Sequence, residues 1–322
     1  NKNQVKFNPF LEIENRVISE NFNSFIYIVP TRRKIRFLIR ELINKTDNKT
    51  IPRLNIFTIG TFSEKLFTSH FTSYKKITEP IQFALYKKIL SEIDLKYFLI
   101  KEKYISNGII ELVIAVITRL KELGIDPETF KNNIKKFDGE EKIKIEDISK
   151  IYNTYQEHLE KLKLYETGDI YLSINSFEDL LVENIFRKIF PAVDYLLIAG
   201  FHEFSKPELS LIEKISQIQN LNLLITLDYS ENNEEIFGNL IETHNHLINI
   251  GLHPSETNDF EKNTHFHFII KNHLFKSEQT REKNVLSNVF LFEGENIRDE
   301  IETIAQIIKN KVIENPKLEL NK

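Results

Sequence analysis

The feature that most constrains this chain is a set of short, unbroken apolar runs, at 25–29 (Phe-Ile-Tyr-Ile-Val), 54–58 (Leu-Asn-Ile-Phe-Thr), 195–199 (Tyr-Leu-Leu-Ile-Ala), 223–227 (Leu-Leu-Ile-Thr-Leu) and 289–292 (Val-Phe-Leu-Phe). A strand with one wet face alternates apolar and polar residues. These runs do not, which suits strands covered on both faces of a parallel sheet. Helical stripes follow several of them directly. After residue 29 come Ile35, Leu38, Ile39, Leu42 and Ile43, spaced to line one helix face. After residue 199, Ser205 with Pro207 and Glu208 forms a helix start, and Leu209, Ile212 and Ile215 form its stripe. After residue 292, Ile297, Ile301, Ile304, Ala305 and Ile308 repeat the pattern. Strand-then-helix units of this kind predict an α/β fold with right-handed crossovers. Residues 265–268 (His-Phe-His-Phe) alternate in the manner of an edge strand.

The middle of the chain reads differently. From Thr78 to Lys188 no strand is evident, only helical patterns such as 109–123 and 148–164, with Gly124 ending one helix and Pro127 starting the next. The layout expected is an α/β domain from 1–77 and 189–280, an all-helical insertion over 78–188, and the beginning of a second α/β unit over 285–322. The polar stretch 276–288 connects them.

Composition narrows the function. The 322 residues contain no cysteine, which excludes disulfides, thiolate metal sites and cysteine nucleophiles. The longest apolar run, 109–117, contains Glu111 and is too short for a bilayer. No leader pattern opens the chain, so a cytoplasmic protein without a membrane partner is expected. Met is absent even at position 1, which leads us to expect a piece of a longer protein. The net charge of -4 gives no global nucleic-acid footprint, yet Arg32, Arg33, Lys34, Arg36 and Arg40 fall together without an acid between them.

Three strand ends carry the candidate chemistry. Pro30-Thr31-Arg32-Arg33-Lys34 closes a strand and opens a helix, the place where parallel sheets bind ligands and where helix amides receive phosphates. A Thr cap beside Arg32 and Arg33 suits a nucleic-acid backbone, and a solvated basic helix end suits the same residues. Thr58-Ile-Gly-Thr61-Phe62-Ser63 repeats the arrangement. There Thr58 and Thr61 are either backbone ligands or caps, and Phe62 either stacks on a base or enters the core. Ala199-Gly200-Phe201-His202-Glu203 ends the third strand, where a nucleotide hydrolase needs an acid for Mg²⁺. Ala199 and Gly200 supply none. His202 with Glu203 is a possible hydrolytic pair, or a loop near a partner. Neither G-x-x-x-x-G-K-[ST] nor G-x-G-x-x-G occurs among the nine glycines, so ATP hydrolysis at the usual place is not expected. The pairs His244/His246 and His265/His267 are read as surface residues, with no metal site expected.

Taken in order, these segments resemble the AddB/RexB-type family, inactivated relatives of superfamily-one, UvrD-like helicases. Phe25-Ile-Tyr-Ile-Val-Pro-Thr-Arg-Arg33 resembles the family's opening strand and Pro-Thr/Ser-Arg-Arg turn, counterpart of the DNA-contacting motif Ia. Phe57-Thr-Ile-Gly-Thr-Phe62 is similar to the helicase Gly-Thr-Phe-His segment, with Ser63 in place of His. Leu123-Gly-Ile-Asp-Pro-Glu128 and Ile151-Tyr-Asn-Thr-Tyr155 resemble landmarks of the helical insertion. Asp194-Tyr-Leu-Leu-Ile-Ala-Gly-Phe201 resembles the decayed Asp-Glu motif, and Asn296-Ile-Arg-Asp-Glu300 the entry to a second motor-like domain.

The resemblance implies a RecA-like, P-loop NTPase-like sheet carrying no catalytic residue of its own, a scaffold in DNA double-strand-break processing. It implies DNA and an AddA/RexA-type helicase–nuclease subunit as partners. It also implies an iron–sulfur cluster and Mg²⁺ in a nuclease domain that this sequence does not contain. Thr31, Arg32 and Arg33, then Thr58, Thr61 and Phe62, are the expected DNA contacts. A free-standing hydrolase built on His202 and Glu203, or a pure protein-interaction module, are the alternatives.

Overall fold

In the computed structural model the described residues are 9–47, 49–98, 105–231, 233–254, 269–270, 272–276 and 292–315. Helix α1 (Pro9–Ile18) precedes β1 (Phe25–Ile28), α2 (Arg32–Lys45), β2 (Ile56–Phe57) and α3 (Ile59–His70). Then come β3 (Lys75–Lys76), α4 (Glu79–Glu92), α5 (Asn107–Glu122), α6 (Pro127–Asn133), α7 (Gly139–Leu162) and β4 (Leu164–Tyr165). Helices α8 (Thr167–Ser176) and α9 (Asp179–Ile189) lead into β5 (Tyr195–Phe201), α10 (Lys206–Ser216) and β6 (Asn222–Leu227). The short α11 (Glu234–Phe237), α12 (Ile241–Asn249) and α13 (Ile297–Glu314) follow.

The main sheet has the order β2-β1-β5-β6 and every pairing in it is parallel. Tyr27 sits opposite Ile56 on one side and Leu197 on the other, so β1 is internal. The pleat sorts its side chains cleanly. Phe25, Tyr27 and Val29, with Tyr195 and Leu197, pack on α1 and α2 through Ile13, Val17, Leu38 and Leu42. Ile26 and Ile28, with Leu196 and Ile198, face the opposite layer, where Phe62, Ile170, Phe186 and Leu211 come from α3, α8, α9 and α10. This is why runs 25–29 and 195–199 show no alternation: both faces are dry. Each such large side chain contributes about 1.5–3 kcal/mol of burial. The α/β fold with a parallel sheet between helical layers, expected from the sequence, is what forms.

Helices α4, α5 and α7 build a separate core, in which Tyr86, Ile110, Val113, Ile117, Tyr152 and Tyr155 are buried together. Gly124 adopts φ +74 just after α5, and Asp126 caps α6 by accepting from the Thr129 amide with Pro127 in the first turn. One expectation needs correcting. A strand does lie between residues 78 and 188: β4 pairs in parallel with β3, Lys75 opposite Leu164 and Lys76 opposite Tyr165. Two residues are too few to carry a period. Helices α8 and α9 fall within the same span, and they pack on the sheet's core instead of joining Tyr86 and Tyr155.

The chain divides into two compact units, Asn1–Ser230 with Phe237–Phe260, and Glu231–Ile236 with Glu261–Lys322. In the second, Asn233 donates to the Leu274 carbonyl at 3.0 Å, and Asn296 caps α13 by accepting from the Asp299 amide at 3.1 Å. Ile297, Ile301, Ile304 and Ile308 on α13 are exposed. The strand expected over 289–292 lies outside the described residues except at Phe292, and the one over 265–268, with His265 and His267, lies wholly outside them. No helix among the described residues is long and apolar enough to cross a membrane.

Candidate nucleic-acid interface

Because β2 and β1 run parallel in adjacent register, their carboxyl ends open at the same edge of the sheet. The Val29 amide donates to the Phe57 carbonyl at 2.9 Å, the last rung before both strands turn into helices. At the first turn Thr31 is extended (φ -136, ψ 150) and its hydroxyl oxygen accepts from the Lys34 amide at 3.2 Å. Arg32, Arg33, Lys34, Arg36 and Arg40 are all exposed, while Leu38 and Leu42 hold the opposite side of α2 in the core. Lys34 lies over the Phe37 ring, 5.0 Å from its centroid. A helix start with an unfavourable set of cations in its first turn gains nothing from its own dipole there. It is arranged to receive an anion.

At the neighbouring turn Thr58 and Thr61 close a reciprocal cap. The Thr61 amide donates to Thr58 Oγ1 at 3.3 Å, and the Thr58 amide donates to Thr61 Oγ1 at 3.0 Å. Both threonines are half-buried. The Thr61 hydroxyl also lies 3.0 Å from the Thr58 carbonyl, so much of its bonding capacity is used locally. Phe62 does not serve a base. Its side chain is 0% exposed, stacked on Phe190 at 6.1 Å and edge-on to Phe186, which leaves no ring face for a nucleotide. The base-stacking expectation for Phe62 is therefore withdrawn, for the ordinary reason that a helix's fourth residue points back at the sheet it covers.

The turn after β5 lies beside the first. Gly200 has φ +82, and a Cβ built there would sit 3.7 Å from Pro30 Cδ. Phe201 and Phe204 stack at 5.0 Å beneath it, and Ser205 with Glu208 closes the capping box of α10 that its sequence predicts. His202 and Glu203 are exposed on this turn and line neither the apolar crevice at Leu66 and Ile174 nor the aromatic cleft at Phe67 and Tyr165. An open surface offers no water-excluded place for acid–base work, so the hydrolase reading loses its footing. His244 and His246 lie on α12, His244 stacked on Tyr229 at 4.4 Å and His246 Nε2 3.7 Å from Glu213. Among the described residues no three His, Cys, Asp or Glu side chains come together as metal ligands. With no cysteine in the chain, none of its residues fits an iron–sulfur cluster.

Sequence reading missed a buried charge network next to this domain's core. Lys121 is 1% exposed, and its Nζ lies 2.7 Å from Glu166 Oε2 and 2.8 Å from Asp169 Oδ1. Tyr155 donates to Glu166 Oε1 at 2.8 Å, and Gln82 donates to the same oxygen. Burial, and then the Glu166 carboxylate, push the Tyr155 phenol far above its usual range. Gly168 is required here, since a Cβ would come 2.4 Å from Lys121 Cβ. The signal was present: Lys121 extends the stripe of Ile110, Val113 and Ile117, where an apolar residue would be expected.

By fold the chain is an α/β protein whose parallel sheet gathers several helix starts at one edge. Comparison with known proteins gives its family: residues 8–278 match the model described as ADDB, N-terminal, and the chain belongs to that family. It is similar to the AddB subunit of an ATP-dependent helicase/deoxyribonuclease from Staphylococcus epidermidis, 27% identical over 232 residues, 69% of this chain and 19% of that protein. The protein of the same name from Alkaliphilus metalliredigens is 23% identical over 318 residues, 92% of this chain and 26% of its own. The chain thus spans 19% to 26% of the length of the curated relatives it matches.

Proposed function

We propose that this chain is a DNA-gripping, non-catalytic helicase-like region of an AddAB/RexAB-type helicase–nuclease, acting in double-strand-break processing in the cytoplasm beside an AddA/RexA-type subunit. In this reading the β2-β1-β5-β6 sheet is RecA-like, 1–77 with 189–280 form the first motor-like domain, 78–188 its helical insertion, and α13 belongs to a second such domain. The observation that carries it is the juxtaposition of the Thr31 and Thr58 caps at one sheet edge, with Arg32, Arg33 and Lys34 exposed beside them. Helix amides and guanidinium groups together bind phosphate oxygens without reading sequence. Family membership and the name of the relatives support the assignment to DNA.

Thr31, Arg32 and Arg33 hold the backbone in this reading, with Thr58 and Thr61 as a secondary contact. ATP chemistry has no support from the residues: the turn after β1 is Pro30-Thr31-Arg32, without a glycine cradle, and β5 ends in Ala199-Gly200 without an acid. The test is the salt dependence of duplex binding. Each neutralised phosphate contributes about 0.9 to the slope of log K against log salt. Arg32→Ala with Arg33→Ala is expected to weaken binding and to flatten that slope by about 1.8. An unchanged affinity and slope would refute the assignment.

A further inference from the structure

A cleft of about 250 Å³ opens between α3, α7 and α8, away from the sheet edge. Its walls are rings. Phe67 packs at 4.8 Å from both Phe71 and Tyr165, and Tyr74 stands edge-on to Phe67 at 6.2 Å. The polar groups lining it are acceptors: the Glu160 and Asp169 carboxylates and Gln156. Gln156 Oε1 is buried with no hydrogen-bond partner among the described residues. No basic side chain lines the cleft. The nearest buried cation, Lys121, is shared between Asp169 and Glu166, so one positive charge faces two formal negative ones.

Buried carbonyl oxygens without a donor are costly, and so are carboxylates against apolar walls. Both costs fall if a cation enters. Ring faces attract such an ion through their quadrupoles, most strongly when it is desolvated. The geometry points to a binding site for a small organic ammonium ion, held by the faces of Phe71, Tyr74 and Tyr165 and by the Glu160, Asp169 and Gln156 oxygens. The size agrees, because drug-sized ligands occupy about 300–1,000 Å³ and this cleft is smaller. A neutral apolar guest would leave the acceptors unpaired, and an anion would meet two carboxylates.

The probe is tetramethylammonium chloride titrated into chain carrying ¹³C-labelled Phe and Tyr, at constant ionic strength. Tert-butanol serves as the uncharged guest of similar shape. The ring signals of Phe71, Tyr74 and Tyr165 are expected to shift saturably with the cation, and tert-butanol to bind more weakly. Tyr74 is half-buried, so Tyr74→Leu tests one wall without dismantling the core, and is expected to weaken binding roughly threefold to tenfold. Glu160→Gln, at an exposed position, is expected to weaken the cation and leave tert-butanol unaffected. Absence of saturation, or equal affinity for the two guests, would overturn the proposal.

Discussion

Individual side chains decide which sequence expectations survive. Arg32 and Arg33 stay in solvent where a phosphate can reach them, whereas Phe62, only a few residues past the neighbouring cap, is sealed between Phe57, Phe186 and Phe190. The motif around Phe62 could not say which way the ring points, because that depends on the helix's rotation against a sheet formed partly by distant residues 195–201. Lys121 was hidden for the same reason: its acidic partners Glu166 and Asp169 lie beyond the whole of α7. A residue-scale prediction separates core from contact. Phe62→Ala is expected to cost about 3–5 kcal/mol of stability in denaturant unfolding. Measured where the variant remains folded, its DNA salt slope is expected to match the wild type. A flattened slope would return Phe62 to the interface.

Elements were legible in proportion to their length and dryness. Strands β1 and β5 could be read directly because helices cover both faces, and α2 because its stripe is regular. The run 54–58 shrank to Ile56–Phe57, since β2 stands at the sheet's margin with one neighbour. Strands β3 and β4 left no trace, as a pair of residues has no period. The α5–α6 corner was legible through backbone chemistry: Gly124 supplies the positive φ and Pro127 the next first turn. Pro207 of α10 closes over that corner, its Cγ 3.0 Å from where a Cβ on Gly124 would lie. Gly124→Ala therefore meets both a strained φ and a tight neighbour, and is expected to lower stability by about 1 kcal/mol or more. Thermal unfolding checks this; an unchanged Tm would mean the corner relaxes freely.

For the whole molecule, charge and burial act at different places. The net charge of -4 hides the basic start of α2, so composition alone argues against the surface that the structure presents. Burial raises Tyr27, Tyr165 and Tyr171 to about 12, and raises Tyr86 well above its usual value. In the unfolded chain these phenols lose protons near pH 10 while the folded protein retains them. Their contribution is thus fully present below about pH 10 and is lost as pH climbs toward about 12. Stability followed by circular dichroism is expected to fall across that window together with the rise of phenolate absorbance. Titration of these phenols at ordinary pH without unfolding would contradict their burial.

If the adjacent helix starts after β1 and β2 together hold a DNA backbone, their amides must sense it. Amide hydrogen exchange of the chain, with and without duplex, measures this most directly. Slowed exchange at residues 31–34 and 58–61 on adding DNA, reversed by high salt, is the expected result. Protection confined to other surfaces, with both turns exchanging as fast as in the free chain, would contradict it.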